Sequence, residues 1–289
     1  MQADDQLKDL RGWIGKVETA ADILTPGLVD RYRATLGLAG PAAAMGDATP
    51  RMIHLCLCHN AVAGADLGED GHPARGSFLP PVPLPRRMWA AGTMRFDGTI
   101  PVGASVTRRS TIADVTMKQG SSGALCFVEV RHEIRADGAP VVNEVQTIVY
   151  RNAEAPDRPA TPVPAKAPVL RETAASEELA VPTPLLFRFS ALTFNSHRIH
   201  YDLPYATAVE GYPGLVVHGP LQASLLFHFA AREHGREPDE FSFRSRAPLF
   251  AGQPLVLAAG RDAGGTLDLW TSAPGGAAAM EAKATWDAG

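Results

Sequence analysis

Alternating hydrophobic and polar positions dominate two stretches of this 289-residue chain. In the first half, three consecutive segments rich in β-branched residues are separated by glycine-containing turns: TRRSTIADVTMKQG, ALCFVEVRHEIRADG and APVVNEVQTIVYR. In the second half the same pattern recurs in FSFRSRAPLF, QPLVLAAGR, GTLDLWTSA and AAAMEAKATW. A period of two predicts antiparallel strands. The segment LFRFSALTF, residues 186–194, alternates in a similar way, so we predict another strand there.

Each half also contains one segment with the pattern of a helix. Thr25 can cap the first helix, Pro26 can occupy its first turn, and apolar residues from Leu28 to Leu36 fall on one face. The second helix is predicted over PLQASLLFHFAAREHG, residues 220–235, which is apolar nearly all round and should therefore be buried. A helix wrapped by an antiparallel sheet, twice over, is an α+β arrangement.

A compositional change divides the chain. Residues 152–184 are rich in proline, alanine and charge, which is typical of a linker rather than of a packed core. We therefore expect a first domain over residues 1–151, a linker over 152–184 and a second domain over 185–289. Both domains have a plausible size for independent units.

Charge and cysteine content narrow the class of protein. The net charge of −4 and the pI of about 6.1 give no electrostatic footprint for nucleic acid. No apolar run approaches the roughly 18–20 residues of a membrane span, and the polar start MQADDQLKDL is unlike a secretory signal. Three cysteines are too few for a disulfide framework and fit a reducing compartment. We expect a cytoplasmic protein with neither nucleic acid nor membrane as partner.

The polar segment FNSHRIHYD, residues 194–202, is the first candidate for chemistry. His200 can exchange a proton near neutral pH, which makes it a natural general acid or base. Asn195 and Asp202 lie close to it in sequence. The alternative is that His200 only satisfies a backbone carbonyl at the start of a helix.

The second candidate is the beginning of the buried helix in GLVVHGPLQASLL, residues 214–226. Pro220 favours the first helical position, and the free amides there can stabilise an oxyanion on a thioester carbonyl. Because proline has no N–H, the candidate donors are Gly219 and Leu221. The alternative is an ordinary start of a core helix.

A metal site competes for the same histidines. His197 and His200 are three residues apart, and His218 could add a third imidazole. However, the chain has no HExxH motif and no cysteine cluster beside these residues, so we predict no metal. Cys56 and Cys58 are interpreted as small buried hydrophobic residues. Motifs for nucleotide cofactors and for serine hydrolases are also absent from the sequence.

Taken together, FNSHRIHYD and GLVVHGPLQASLL resemble the MaoC-like (R)-specific enoyl-CoA hydratases and dehydratases. Ile199-His200 matches the end of the first family motif, and His218-Gly219 matches the second. Residues 68–92 and 105–134 resemble the non-catalytic half of double hot-dog hydratases. The most similar members are the 3-methylfumaryl-CoA (mesaconyl-C4-CoA) and itaconyl-CoA hydratases, and mitochondrial 3-hydroxyacyl-thioester dehydratases share much of the second-half pattern.

This resemblance implies two hot-dog folds, a coenzyme A thioester as substrate, no metal or redox cofactor, and a pairing of chains into a homodimer. The active site would lie in the second half and be covered by the first. The thioester carbonyl would lie at Gly219, near His218 and Leu221, while His200 would activate water. Asn195 replaces the family's aspartate and would orient that water, because an amide cannot act as a base at neutral pH.

The resemblance also implies a substrate with a second charge. The free carboxylate of a mesaconyl or itaconyl thioester would suit a buried arginine, and Arg86, Arg87 and Arg198 are the candidates. Alternatively, these arginines hold the domain interface or meet the phosphates of coenzyme A. We expect a hydro-lyase for a short, branched, carboxylated enoyl-CoA. The alternatives are a dehydratase or hydratase for fatty acyl chains and a non-catalytic protein that binds acyl thioesters.

Overall fold

The computed structural model describes residues 9–120, 123–152 and 172–287. The strands are β1 Val17–Ile23, β2 Arg86–Phe96, β3 Ser105–Gly120, β4 Gly123–Ala136, β5 Ala139–Arg151, β6 Ala175–Leu179, β7 Glu240–Ser245, β8 Leu255–Ala259, β9 Thr266–Ser272 and β10 Ala278–Thr285. They pair antiparallel in one sheet with the order β1-β3-β4-β5-β2-β7-β10-β9-β8-β6. The strands predicted in the three segments of the first half and in the four segments from FSFRSRAPLF onward are confirmed.

Helix α1, Pro26–Leu36, lies in the first half, where the sequence predicts it. The Thr25 hydroxyl accepts a hydrogen bond from the Leu28 amide at 3.3 Å, and Gly37 ends the helix in the left-handed conformation with φ 68°. Val29 and Tyr32 form its buried face. The cap, the proline and the apolar face therefore act together to set the helix.

Helix α3, Gly219–His234, is the central helix of the second half and packs against β8, β9 and β10. Its side chains from Leu221 to Ala230 are all buried, as the apolar sequence predicts. The Tyr32 hydroxyl lies 3.0 Å from Nε2 of His228, which ties α1 to α3. No helix in the described ranges is long and apolar enough to cross a membrane.

The strand predicted over residues 186–194 is wrong. This segment belongs to helix α2, Thr183–Leu192, which packs against α1. Leu186, Phe189 and Ser190 are buried at helical spacing, whereas Phe187 is 66% exposed. Pro184 in the first turn favours a helix, and the alternating pattern does not coincide with the buried face.

The linker prediction is too long at its C-terminal end. Residues 175–179 form strand β6, which pairs with β8 at one edge of the sheet, and α2 begins at Thr183. Most of the remaining predicted linker, residues 153–171, lies outside the described residues. Strand β1 at the opposite edge was also not predicted, because its side chains are mostly exposed and carry no inward-facing pattern.

Backbone pairing joins the two halves. Residues 91–95 of β2 pair with residues 240–244 of β7, and β2 also pairs with β5 along its length. A single cluster of buried residues runs through both halves, from Leu24 to Trp286. This β2–β7 seam places the first turn of α3 next to residues of the first half.

Candidate active site

His200 is fixed by a hydrogen bond to the main chain. It ends the single helical turn Arg198–His200, and its Nδ1 lies 2.7 Å from the carbonyl oxygen of Val216. The amide of Val216 in turn donates to the carbonyl of Ile199 at 2.9 Å. Because a carbonyl can only accept, Nδ1 must carry the proton and Nε2 must carry the lone pair. His200 therefore satisfies a backbone carbonyl, and this bond leaves the lone pair of the neutral imidazole at Nε2.

The ring of His218 connects His200 to the start of α3. Its ring stacks on the ring of His200 with centroids 3.6 Å apart and an interplanar angle of 20°. Nε2 of His218 lies 2.8 Å from the hydroxyl of Ser190, while its buried Nδ1 has no hydrogen-bond partner. Since His218 directly precedes Gly219, the stack brings His200 close to the helix N-terminus.

Gly219 and Leu221 lie in the first turn of α3, where backbone amides have no helical acceptor. A Cβ atom on Gly219 would lie 3.7 Å from the carbonyl oxygen of Trp89 and 3.8 Å from Oγ of Ser245. These two neighbours belong to β2 and β7, so the helix begins at the seam between the halves. The Leu221 side chain is fully buried, which leaves only its backbone amide for a ligand.

Asn195 shapes the turn that carries His197. Its side-chain Oδ1 accepts a hydrogen bond from the backbone amide of His197 at 3.0 Å. The backbone amide of Asn195 donates to the carbonyl of Ser190 at 2.9 Å. Oδ1 therefore already accepts one hydrogen bond, and Nδ2 can donate.

Four imidazoles form a continuous row, which we call the imidazole row: His72, His197, His200 and His218. The centroids of His72 and His197 are 4.1 Å apart, and His197 meets His200 edge-on at 5.4 Å. Sequence reasoning did not include His72, because it lies on a loop of the first half. At the His72 end of the row, Nδ1 of His72 is hydrogen-bonded to Oδ2 of Asp70 at 3.0 Å.

Burial keeps the row neutral. It lowers the pKa of His200 to about 4, although the bond to Val216 opposes this, and lowers the pKa of His197 to about 2. Burial and the neighbouring imidazoles also hold the pKa of His218 well below its ordinary value. At neutral pH, the imidazole of His200 is therefore unprotonated at Nε2.

The loop that carries Asp70 and His72 docks directly on the turn that carries His200. The amide of Arg198 donates to the carbonyl of Asp70 at 2.9 Å, and the hydroxyl of Ser196 donates to the carbonyl of Gly71. Gly71 has φ +85°, and a Cβ there would lie 2.0 Å from the carbonyl oxygen of Ser196. Only glycine therefore allows this approach between the halves.

The three predicted arginines differ in their partners. Arg198 is occupied: Nε and Nη2 donate to Asp202 at 2.9 and 2.8 Å, and its guanidinium lies over the ring of Tyr205. Arg86 pairs with Glu210 at 3.2 Å. The side chain of Arg87 is 8% exposed, and its Nε has no hydrogen-bond partner.

Arg86 and Arg87 line a narrow recess with a cavity volume of about 10 Å³, room for about one water molecule. His197 forms part of the same wall, so the recess lies next to the imidazole row. The charged side chains around it are Asp70, Arg86, Arg87, Arg151 and Glu210. Arg86 pairs with Glu210, and Arg87 is the guanidinium in this wall whose Nε has no hydrogen-bond partner.

A set of possible metal ligands differs from the one considered from the sequence. Ligand atoms of Asp70, His72 and His197 all lie within 4.8 Å of one another. However, Asp70 and His72 are already hydrogen-bonded to each other, and Nε of Arg87 lies 3.9 Å from the carboxylate. A fixed positive charge at that distance opposes a metal cation.

None of the three cysteines lines the recess. All three are buried, and burial raises the pKa of Cys56 to about 12 and that of Cys58 and Cys126 to about 11. The interpretation of Cys56 and Cys58 as small hydrophobic residues is confirmed.

Comparison with known families gives a match over residues 52–251 to the model described as hydroxyacyl-thioester dehydratase type 2. The chain belongs to this family. The match covers more than half of the chain and includes the recess, the imidazole row and the first turn of α3. Membership of this dehydratase family confirms the predicted enzyme class, a hydro-lyase.

Relatives of this family member align over nearly its full length. It is 43% identical over 277 residues to the mesaconyl-C(4)-CoA hydratase of Chloroflexus aurantiacus, covering 95% of this chain and 96% of the relative. It is 27% identical over 270 residues to the mitochondrial hydroxyacyl-thioester dehydratase type 2 of Schizosaccharomyces pombe, covering 82% and 87%. The predicted resemblance is therefore confirmed.

Solved structures of low sequence identity share the fold. A MaoC-like dehydratase from Phytophthora capsici superposes with a TM-score of 0.69 at 14% identity, covering 98% of this chain and 99% of that one. A conserved hypothetical protein of Mycobacterium tuberculosis described as having a double hot-dog fold superposes with a TM-score of 0.55 at 14% identity, covering 96% and 97%. These matches confirm the predicted double hot-dog, α+β fold.

The neutral imidazole row makes the stability of this family member depend on pH. Because folded pKa values are about 4 for His200 and about 2 for His197, the unfolded chain binds more protons below the ordinary histidine pKa of about 6.5. We expect the free energy of unfolding to fall between pH 7 and pH 5 by roughly 1–2 kcal/mol for each such histidine. Urea denaturation at several pH values measures this, and a constant free energy over that range would contradict it.

Proposed function

We propose that this enzyme hydrates a short, branched enoyl-CoA that carries a free carboxylate, such as 3-methylfumaryl-CoA (mesaconyl-C4-CoA) or itaconyl-CoA. The observation that carries the proposal is the arginine-lined recess beside the imidazole row. Arg87 in its wall is buried and its Nε has no hydrogen-bond partner, which suits a carboxylate. The 43% identical relative named mesaconyl-C(4)-CoA hydratase supports the same substrate class.

His200 is the proposed general base. Its Nε2 lone pair takes a proton from water while the water oxygen forms a bond to the β-carbon of the substrate. The electron pair of the carbon–carbon double bond shifts toward the thioester and forms an enolate. The resulting imidazolium then returns the proton to the α-carbon, which regenerates neutral His200 and balances the addition of one water molecule.

The first turn of α3 is the proposed oxyanion site. The amides of Gly219 and Leu221 would donate to the thioester oxygen as it gains negative charge, with the helix dipole acting in the same direction. Because glycine has no side chain, the thioester can approach the backbone closely. His218 would line the same place, where it stacks on His200.

Asn195 is proposed to orient the attacking water through its Nδ2, while its Oδ1 accepts from the backbone amide of His197. The carboxylate that the general family motif places here is thus replaced by a donor, and His200 alone moves the proton.

The position of the free carboxylate strengthens the case for arginine. In 3-methylfumaryl-CoA the carboxylate is attached to the β-carbon, the atom that water attacks. Its negative charge would repel the incoming oxygen unless a cation offsets it. Arg87 and Arg86, in the same recess as His197, are the proposed cations.

This chemistry needs no cofactor, because His200 supplies proton transfer and backbone amides supply electrostatic stabilisation. We propose that the second half supplies the base and the first half covers it. Three buried, unpaired cysteines are compatible with the cytoplasmic location that we propose, together with the pairing of two chains.

An assay of the enoyl-thioester absorption band tests the substrate class. Mesaconyl-C4-CoA, itaconyl-CoA and crotonyl-CoA are compared side by side, and we expect at least a tenfold higher kcat/KM for a carboxylated substrate. A preference for crotonyl-CoA or for longer chains would assign the enzyme to fatty acyl thioesters. Absence of turnover with all three, under conditions in which the protein is folded, would favour a protein that only binds thioesters.

A further inference from the structure

The guanidinium of Arg87 is buried but only partly paired. Its Nη2 donates to the carbonyl of Pro73 at 3.3 Å, and its Nε has no hydrogen-bond partner. The nearest carboxylate oxygen is Oδ2 of Asp70, at 3.9 Å from Nε, which is beyond hydrogen-bonding distance. A buried charged donor without an acceptor is costly, so this group has a strong tendency to accept an anion.

Asp70 is kept from closing that gap by His72. Oδ1 of Asp70 accepts from the backbone amide of His72, and Oδ2 accepts from its Nδ1, both at 3.0 Å. Burial alone would raise the pKa of Asp70, but the bonds from His72 and the charge of Arg87 outweigh it and hold the pKa below its usual range. The carboxylate is therefore ionised and is directed at His72 instead of Arg87.

The loop that carries this pair cannot easily shift. The carbonyl of Asp70 accepts from the amide of Arg198, and the carbonyl of Gly71 accepts from the hydroxyl of Ser196. These bonds hold Asp70 at its distance from Arg87, while the ring of His72 packs against His197.

We propose that His72 sets the selectivity of the enzyme for carboxylated substrates by holding Asp70 away from Arg87. Arg87 then stays available to the free carboxylate of the substrate, and Asp70 serves as its distant counter-ion while the recess is empty. This inference rests on the proposed function and names two further residues, Asp70 and His72, that determine specificity. In contrast, Arg86 and Arg198 already have close carboxylate partners.

Two unreactive ligands test this directly. Succinyl-CoA carries a carboxylate on its β-carbon, butyryl-CoA carries a methyl group there, and neither has a double bond to hydrate. Dissociation constants for both are measured by calorimetry. We expect the wild-type protein to bind succinyl-CoA at least tenfold more tightly than butyryl-CoA, corresponding to about 1.4 kcal/mol.

Four variants separate this idea from a purely structural role. His72→Ala frees Asp70 to pair with Arg87, so the preference for succinyl-CoA should fall about tenfold while binding of butyryl-CoA stays constant. Asp70→Asn removes the competing charge and should bind succinyl-CoA at least as tightly as the wild type. The double variant should regain the preference that His72→Ala loses. Arg87→Gln should lose it.

Equal weakening of both ligands in His72→Ala, or a double variant as unselective as the single one, would overturn the inference. Weaker binding of succinyl-CoA by Asp70→Asn would overturn it as well. If the wild type hydrates mesaconyl-C4-CoA but the variants give any of these contradicting results, only the proposed role of His72 is wrong. If the wild type shows no preference for a carboxylate in either experiment, the proposed function fails together with this inference.

Discussion

Replacing His200 with alanine is expected to lower kcat by about 10⁴-fold, at the upper end of what a general acid–base contributes. The effect is large because Nε2 of this one imidazole would both accept the proton of water and return it to the α-carbon. The bond from Nδ1 to Val216, at 2.7 Å, fixes the tautomer on which both steps depend. Steady-state kinetics with the carboxylated enoyl-CoA measure the loss, and KM should change little because the recess is intact.

His228 supplies a matched control for this substitution. It is another buried histidine, and burial lowers its pKa to about 3, but it contacts Tyr32 in the core and not the recess. His228→Ala should therefore lower the melting temperature while leaving kcat within about twofold. More than 1% of wild-type turnover in a folded His200→Ala protein would sink the assignment of the base.

Replacing Gly71 with alanine is expected to reduce kcat/KM by about 100-fold, because a displacement of roughly 1 Å at a reacting group has effects of this size. The added Cβ would lie 2.0 Å from the carbonyl oxygen of Ser196, which is backbone and cannot rotate away. The loop and the turn that carries His200 must therefore separate. Denaturation by urea and the hydratase assay together measure the loss of stability and of activity.

Gly138 is the matched control for backbone strain. It has the same φ of +85°, yet an added Cβ would meet nothing within 4 Å. Gly138→Ala should therefore show only the cost of a left-handed alanine, about 1 kcal/mol, with full activity. If both alanine variants retain the same activity, the contact between Gly71 and Ser196 does not position the site.

The helices show what local sequence can and cannot specify. α1 could be predicted because Thr25, Pro26 and Gly37 mark its ends and its buried residues recur at helical spacing. The segment of α2 predicts a strand because a short apolar run fits the period of a strand as well as that of a helix. The exposed Phe187 adds an apolar residue where an alternating strand would have an inward-facing one. Its surroundings decide the outcome, since it packs on α1 of the other half.

Both edge strands of the sheet escaped prediction. β1 and β6 each pair on one side only, and most of their side chains are polar or exposed. An edge strand with solvent on its open side has little apolar alternation to detect, and charged residues there oppose association with other chains.

Only part of the candidate site could be predicted from the sequence. His200 and Gly219 could be proposed from the sequence because each lies in a short motif with a local physical rationale. Asp70 and His72 could not, because their contact with the turn at residues 196–198 joins positions about 125 residues apart. The segment GEDGHP does contain a clear turn signal, but nothing in it indicates which surface the turn will meet.

The β2–β7 seam has a consequence for how substrate is received. Enzymes built from two units commonly close around their ligand by a hinge motion, and part of the binding energy is then spent on that movement. Here a hinge between the halves would have to break the ladder between residues 91–95 and 240–244. The two halves are thus held in register before substrate arrives, and no binding energy is spent on bringing them together.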